Sequence, residues 1–220
     1  MTYKTHPEPS HIQVGFVQLN GTSNSTIRTI IQRSLETIPR ITDAGYTGYG
    51  FIGSGFSGIF IQPNGTSEDF NYAFAPFYEL ATMTGISGQV GSITLPRWID
   101  YCNAFLTDPN IATNVIDGTR LLTSEVLKRK SKELTDLILE NGASAGFNFI
   151  GKVNSAERDN TAVHTIWKES RAILSFGADW ADDTPSNEKQ RRKLELVEAT
   201  KKLAEISGPR GGTYMNEANP

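Results

Sequence analysis

The chain has 220 residues, of which 38% are hydrophobic and 20% charged, with a formal net charge of −3. That length fits one domain able to bury roughly 70% of its unfolded surface. The mild acidity offers no electrostatic footprint for nucleic acid, no apolar run approaches the roughly 18 residues of a membrane span, and one cysteine, Cys102, excludes an internal disulfide.

In chain order, Ile12, Val14 and Phe16 alternate and then shift phase to Val17 and Leu19, which predicts a strand with a bulge. Asn24 or Ser25 is placed to cap a helix with Ile27, Ile30, Ile31, Leu35 and Ile38 on one face, closed by Pro39. The glycine-rich, aromatic stretch Tyr46–Ile61 predicts two strands joined near Gly53-Ser54-Gly55. Thr66 and Asp69 can form a capping box for a helix that turns Phe70, Ala73, Phe74 and Phe77 inward. Pro76 removes a backbone donor there and predicts a kink.

Ile86–Thr94 predicts a strand, and Pro96 opens a short helix carrying Trp98 and Tyr101. Thr123 caps one helix through Leu127, Leu134 and Ile138, ending at Asn141-Gly142. Phe147–Val153 and Ala172–Phe176 predict strands, and Thr184-Pro185 starts a last helix to about Ser207. Strands and helices mix without a strict strand–helix repeat. The pattern therefore predicts an α+β fold, an antiparallel β-sheet with helices covering one face.

Two overlapping GxGxxG matches, Gly48-x-Gly50-x-x-Gly53 and Gly53-x-Gly55-x-x-Gly58, lack the helix start that a dinucleotide pyrophosphate needs. Ile59-Phe60-Ile61 and a turn follow instead, so these glycines mark bulges or make room for a substrate on a strand face. Cys102 reads as a small core residue, and the basic run Lys189–Lys193 as a solvated helix face among acidic neighbours. His6, His11 and His164 are scattered, which gives no metal site. Asn20-Gly-Thr22, Asn24-Ser-Thr26 and Asn64-Gly-Thr66 are N-glycosylation sequons in turn-like sequence. They suit a secreted parent protein, although residues 1–12 show no signal-peptide pattern.

The C-terminal residues Gly211-Gly212-Thr213-Tyr214-Met215-Asn216-Glu217 do not read as a fraying end. Extended, they put Tyr214 and Asn216 on one face and Met215 and Glu217 on the other. The segment resembles the Tyr-x-Asn signature of the berberine bridge enzyme-like FAD-linked oxidases, within the vanillyl-alcohol oxidase/PCMH-type flavoproteins, and in particular their fungal members. Met1–Pro7 is similar to the closing strand of that family's FAD-binding domain. Asp43–Tyr49, Asn114–Thr123 with Arg120-Leu121-Leu122, and Thr161–His164 up to Trp167 continue the resemblance in order.

The resemblance implies that residues 1–10 end an FAD-binding domain, 11–207 form the substrate-binding domain, and 208–220 begin the berberine-like C-terminal segment. It implies FAD as cofactor, a small organic substrate (alcohol, phenol, alkaloid, sugar or secondary metabolite) and dioxygen as acceptor. Tyr214 and Asn216 would lie at the flavin. Glu217 stands where many relatives carry a catalytic Tyr, and His164 is either a hydrogen-bonded structural residue or a second catalytic candidate near the substrate. The acidic residue that plant members carry on the strand matching about Arg171–Phe176 is absent. Packing against an FAD domain implies an exposed apolar surface on the sheet around Tyr46–Ile61. The competing classes are a non-catalytic relic or binding module without the flavin domain, and a secreted carbohydrate-binding module.

Overall fold

The computed structural model describes residues 7–106, 114–152, 162–209 and 211–215. Seven strands form one sheet: β1 (Ile12–Gly21), β2 (Thr47–Ile52), β3 (Gly55–Pro63), β4 (Ile86–Leu95), β5 (Val115–Thr123), β6 (Ala145–Phe149) and β7 (Ser170–Asp179). Their order is β4-β1-β3-β2-β6-β7-β5, and every neighbouring pair is antiparallel. The seven helices among the described residues are α1 (Asn24–Asp43), α2 (Ser67–Ala81), α3 (Trp98–Phe105), α4 (Ser124–Arg129), α5 (Ser131–Glu140), α6 (Thr165–Glu169) and α7 (Ser186–Ser207). The α+β class, the antiparallel sheet and the helix layer on one face all hold.

That layer consists of α1, α2, α4, α5 and α7, whose apolar stripes join the sheet in one core. The strand side of this core is aromatic: Phe56 and Phe60 from β3 and Phe147 and Phe149 from β6 meet Phe70, Phe74 and Phe77 of α2. Phe74 contacts Tyr46 and Phe60 edge to face, with centroids 5.2 and 5.0 Å apart, and stacks on Phe70 at 4.2 Å. Such pairs add to the free energy of burial itself.

Several expectations are corrected here. The phase shift in β1 is not a bulge, because its register runs unbroken against both β3 and β4. Val17 and Leu19 face the helix layer, whereas Ile12 and Val14 face α3 on the other side, so each face of the strand is apolar at a different end. Ser23, not Asn24 or Ser25, caps α1: its Oγ accepts from Thr26 N at 3.2 Å while Thr26 Oγ1 accepts from Ser23 N at 3.0 Å. Pro39 lies inside α1 and does not end it. The helix expected after Thr123 is two, divided at Lys130. β6 ends at Phe149, and Val153 lies outside the described residues, as do Met1–His6 and Thr161.

The Thr66–Asp69 capping box is present in both directions, at 3.1 and 3.2 Å. Pro76 deprives the Tyr72 carbonyl of its helix donor, and the guanidinium of Arg40 replaces it, donating to Tyr72 O at 2.6 Å. Gly15, Gly50 and Gly58 face rings of the core, whereas Gly91 and Gly146 lie on the opposite face of the sheet. A Cβ on Gly15 would lie 2.4 Å from the Phe70 ring, and one on Gly50 would lie 3.0 Å from the Phe149 ring. These absent side chains let aromatic rings press against the sheet.

Candidate active site on the open face of the sheet

Successive side chains on a strand point to opposite faces, so the register alone assembles the face away from the helix layer. One row across it reads Gly91, Phe16, Ile59, Tyr49, Asn148, Ile173, Leu121; the next reads Gln89, Gln18, Ser57, Phe51, Gly146, Ser175, Thr119. Neither row carries a charged side chain. Phe51 is 58% exposed, whereas Tyr46, Ile52, Phe56, Phe60 and Ile61 of the same stretch are buried. Phe16, Gln18, Tyr49, Phe51, Ser57 and Gln89 line a groove of about 300 Å³.

Two structures border this band. At one end α3 covers Ile12, Val14 and Ile61 with Tyr101, and the Tyr49 hydroxyl donates to the Phe105 carbonyl at 3.2 Å. Cys102 packs beside them, partly buried. Burial and the adjacent Tyr49 push the Tyr101 phenol up to about 12, so it stays protonated at neutral pH. At the other end α6 and the C-terminal segment cover Leu121 and Ile173.

The C-terminal segment is laid along β5, an edge strand. Leu121 N donates to Gly212 O at 2.8 Å, the hydroxyls of Thr119 and Thr213 are 2.8 Å apart, and Tyr214 N donates to Thr119 Oγ1 at 3.4 Å. A Cβ on Gly212 would lie 3.0 Å from Ile166, which is why the segment approaches α6 with a glycine. Tyr214 packs edge to face on Trp167 with centroids 5.6 Å apart. Tyr214 therefore stands on the open face, at the border of the band. Asn216 and Glu217 lie outside the described residues.

His164 stands apart from this arrangement. It is exposed, and its Nδ1 accepts from Ile166 N at 3.2 Å as the cap of α6. Among the described residues no group of three or more His, Cys, Asp or Glu side chains comes together as a metal site, and no helix is long and apolar enough to cross a membrane.

Sequence reasoning missed Asp117. Its side chain shares the open face with Thr119, opposite Gly177, where a Cβ would lie 3.0 Å from Oδ1. Burial raises its carboxyl above the ordinary 3.8, with no described cation or donor holding it down. The alternation in Val115–Thr123 was the available signal, but only the register shows which parity faces outward. A folded-state pKa above the unfolded one means that ionisation opposes folding. This stability is present in acid and lost as pH rises through the folded value. Asp117→Asn is therefore expected to melt higher than the parent at neutral pH, with the gap closing below about pH 4, near the unfolded pKa. Thermal melts across that range check it, and a variant melting lower at neutral pH contradicts it.

No family model matches the chain. It is 48% identical, over its whole length, to an uncharacterized FAD-linked oxidoreductase of Arthroderma benhamiae. The chain belongs to the FAD-linked oxidoreductases. In fold it is similar to a VAO-type flavoprotein from Myceliophthora thermophila C1, with a TM-score of 0.83, 15% identity, and coverage of 97% of this chain and 41% of that one. It also resembles a chitooligosaccharide oxidase, with a TM-score of 0.66, 15% identity, and coverage of 96% and 47%. The chain spans 40% of the length of the Arthroderma relative.

For an FAD-linked oxidoreductase the described residues fit one part of the cofactor only. The GxGxxG matches form the β2–β3 hairpin, with no helix N-terminus behind them, and so build no pyrophosphate cradle. An uncharged, partly aromatic sheet face bordered by Tyr214 suits a flat ring and a substrate laid against it.

Proposed function

We propose that this chain is the substrate-side part of an FAD-linked oxidoreductase that oxidises a small, uncharged organic molecule. Residues 11–207 form the substrate-binding domain, 1–10 the end of the flavin domain, and 208–220 the start of the C-terminal segment that returns to the flavin. The observation that carries this reading is the band of two uncharged rows on the open face, framed by α3 and by the segment bearing Tyr214.

When bound, FAD supplies a hydride acceptor that dioxygen reoxidises. This chain shapes the site and handles the proton. Phe16, Tyr49 and Phe51 offer ring surface, and Gln18, Gln89, Ser57 and Asn148 offer hydrogen bonds to hydroxyls. The absence of charge in the two rows favours an alcohol, phenol or sugar over a cationic alkaloid, whose ammonium would lose hydration there without a counterion. By resemblance Tyr214 and Asn216 position the flavin and Glu217 accepts the proton. The three sequons support a secretory route for the protein.

The test joins this chain to the flavin-binding part of the Arthroderma relative and follows flavin reduction with a panel of neutral alcohols, phenols and oligosaccharides. Tyr49→Ala and Phe51→Ala are expected to raise KM about tenfold while leaving flavin content unchanged, each lost contact being worth about 1.4 kcal/mol. A chimera that oxidises a substrate with both variants unaffected removes the open face from the site. A chimera that binds flavin and reduces it with no substrate of the panel favours the non-catalytic reading.

A further inference from the structure

Two of the three sequons, at Asn20 and Asn64, occupy different settings in the fold. Asn20 is the ninth residue of β1, flanked on both sides by partner strands at Gly55 and Ser87. It shares the parity of Phe16 and Gln18, so its side chain rises from the open face, where its Oδ1 accepts from Ser54 Oγ at 2.8 Å. Asn64 lies in the turn between β3 and α2, exposed, in the left-handed region at φ 57° that Asn tolerates better than most residues. Its backbone N–H donates to His11 O at 2.9 Å. Its Oδ1 accepts from both Ser10 N and Ser10 Oγ, at 2.8 and 3.0 Å. Both bonds fall on the oxygen, so Nδ2 has no partner among the described residues.

We propose that Asn64 is an N-glycan acceptor and that Asn20 stays bare. Transfer forms a bond from Nδ2 to C1 of the first N-acetylglucosamine. One Nδ2 proton is lost, and the lipid pyrophosphate of the oligosaccharide donor departs. The modified amide keeps its carbonyl oxygen and one N–H, so both bonds from Ser10 survive, and the glycan projects from an exposed turn. At Asn20 the same addition would place a bulky polar chain between three strands on the face that the substrate reading requires to be open. The proposal shares the secretory route with that reading, but it is tested without flavin or substrate.

The chain is secreted from a glycosylating host behind a heterologous signal peptide. Peptides are then mapped by mass spectrometry after glycosidase release, which leaves aspartate at each former glycan site. We expect aspartate at position 64, asparagine at position 20, and loss of one glycan mass in Asn64→Asp. That variant keeps the left-handed turn and an oxygen for Ser10. Thr66→Asn removes the sequon while retaining a good helix cap and should lose the same glycan. Unmodified Asn64 in the secreted protein, or a glycan at Asn20, overturns the proposal even if the oxidoreductase reading stands.

Discussion

Glu217→Gln in the flavin-loaded chimera is expected to lower substrate-driven flavin reduction by about 10²–10⁴-fold, the usual contribution of a positioned general base. The described part of the C-terminal segment supports this reading. Gly212 is bonded to Leu121 and Tyr214 to Thr119, so the segment runs antiparallel to β5 along the border of the uncharged band. Glu217 follows three residues after Tyr214, and in the proposed reading its position takes the proton-accepting role. Gln preserves shape and removes only the basic oxygen, so flavin content should be unchanged.

The informative control is Asp117→Asn, because Asp117 is a carboxylate of the open face whose burial raises its pKa. If Glu217 is the base, Asp117→Asn keeps the rate within a few-fold and Glu217→Gln loses the pH dependence of reduction. The opposite pattern in stopped-flow traces moves the base to Asp117. His164 is the weaker alternative, since its Nδ1 is engaged in capping α6 and its ring is exposed.

Phe74→Ala should destabilise the fold by about 3–5 kcal/mol, the range for truncating a buried Phe. Phe74 is fully buried where β3, α2 and Tyr46 meet, and it makes ring contacts with Tyr46, Phe60, Phe70 and Phe77. The glycines at positions 15 and 50 leave no spare side chain to fill the cavity, so collapse around it is limited. Phe51→Ala provides the contrast: it removes an equally large ring that is 58% exposed, and the expected change is within about 0.5 kcal/mol. Urea unfolding of the two variants checks both values. A loss below about 1 kcal/mol for Phe74→Ala would mean that the aromatic layer repacks freely, against the close packing of protein interiors.

The sequence determined the features that depend on neighbours along the chain. The inward face of α2, its Thr66–Asp69 box, the hairpin turn at Gly53–Gly55 and the extent of α7 follow from periodicity and capping, which act within a turn or two. The order of short motifs ending in Tyr214-x-Asn216-Glu217 carried the resemblance. Tertiary structure decided what depends on partners distant in sequence. The phase shift in β1 came from α3 packing on one face and the α1–α2 layer on the other, and alternation within one strand cannot distinguish that from a bulge. Gly15 of β1 and Gly50 of β2 face aromatic rings brought by α2 and β6. Asp117, Asn148 and Ser175 joined one face with Phe16 and Tyr49 only through the register of six strand pairings, because side-chain parity is fixed within a strand but its sign relative to the core is set by packing.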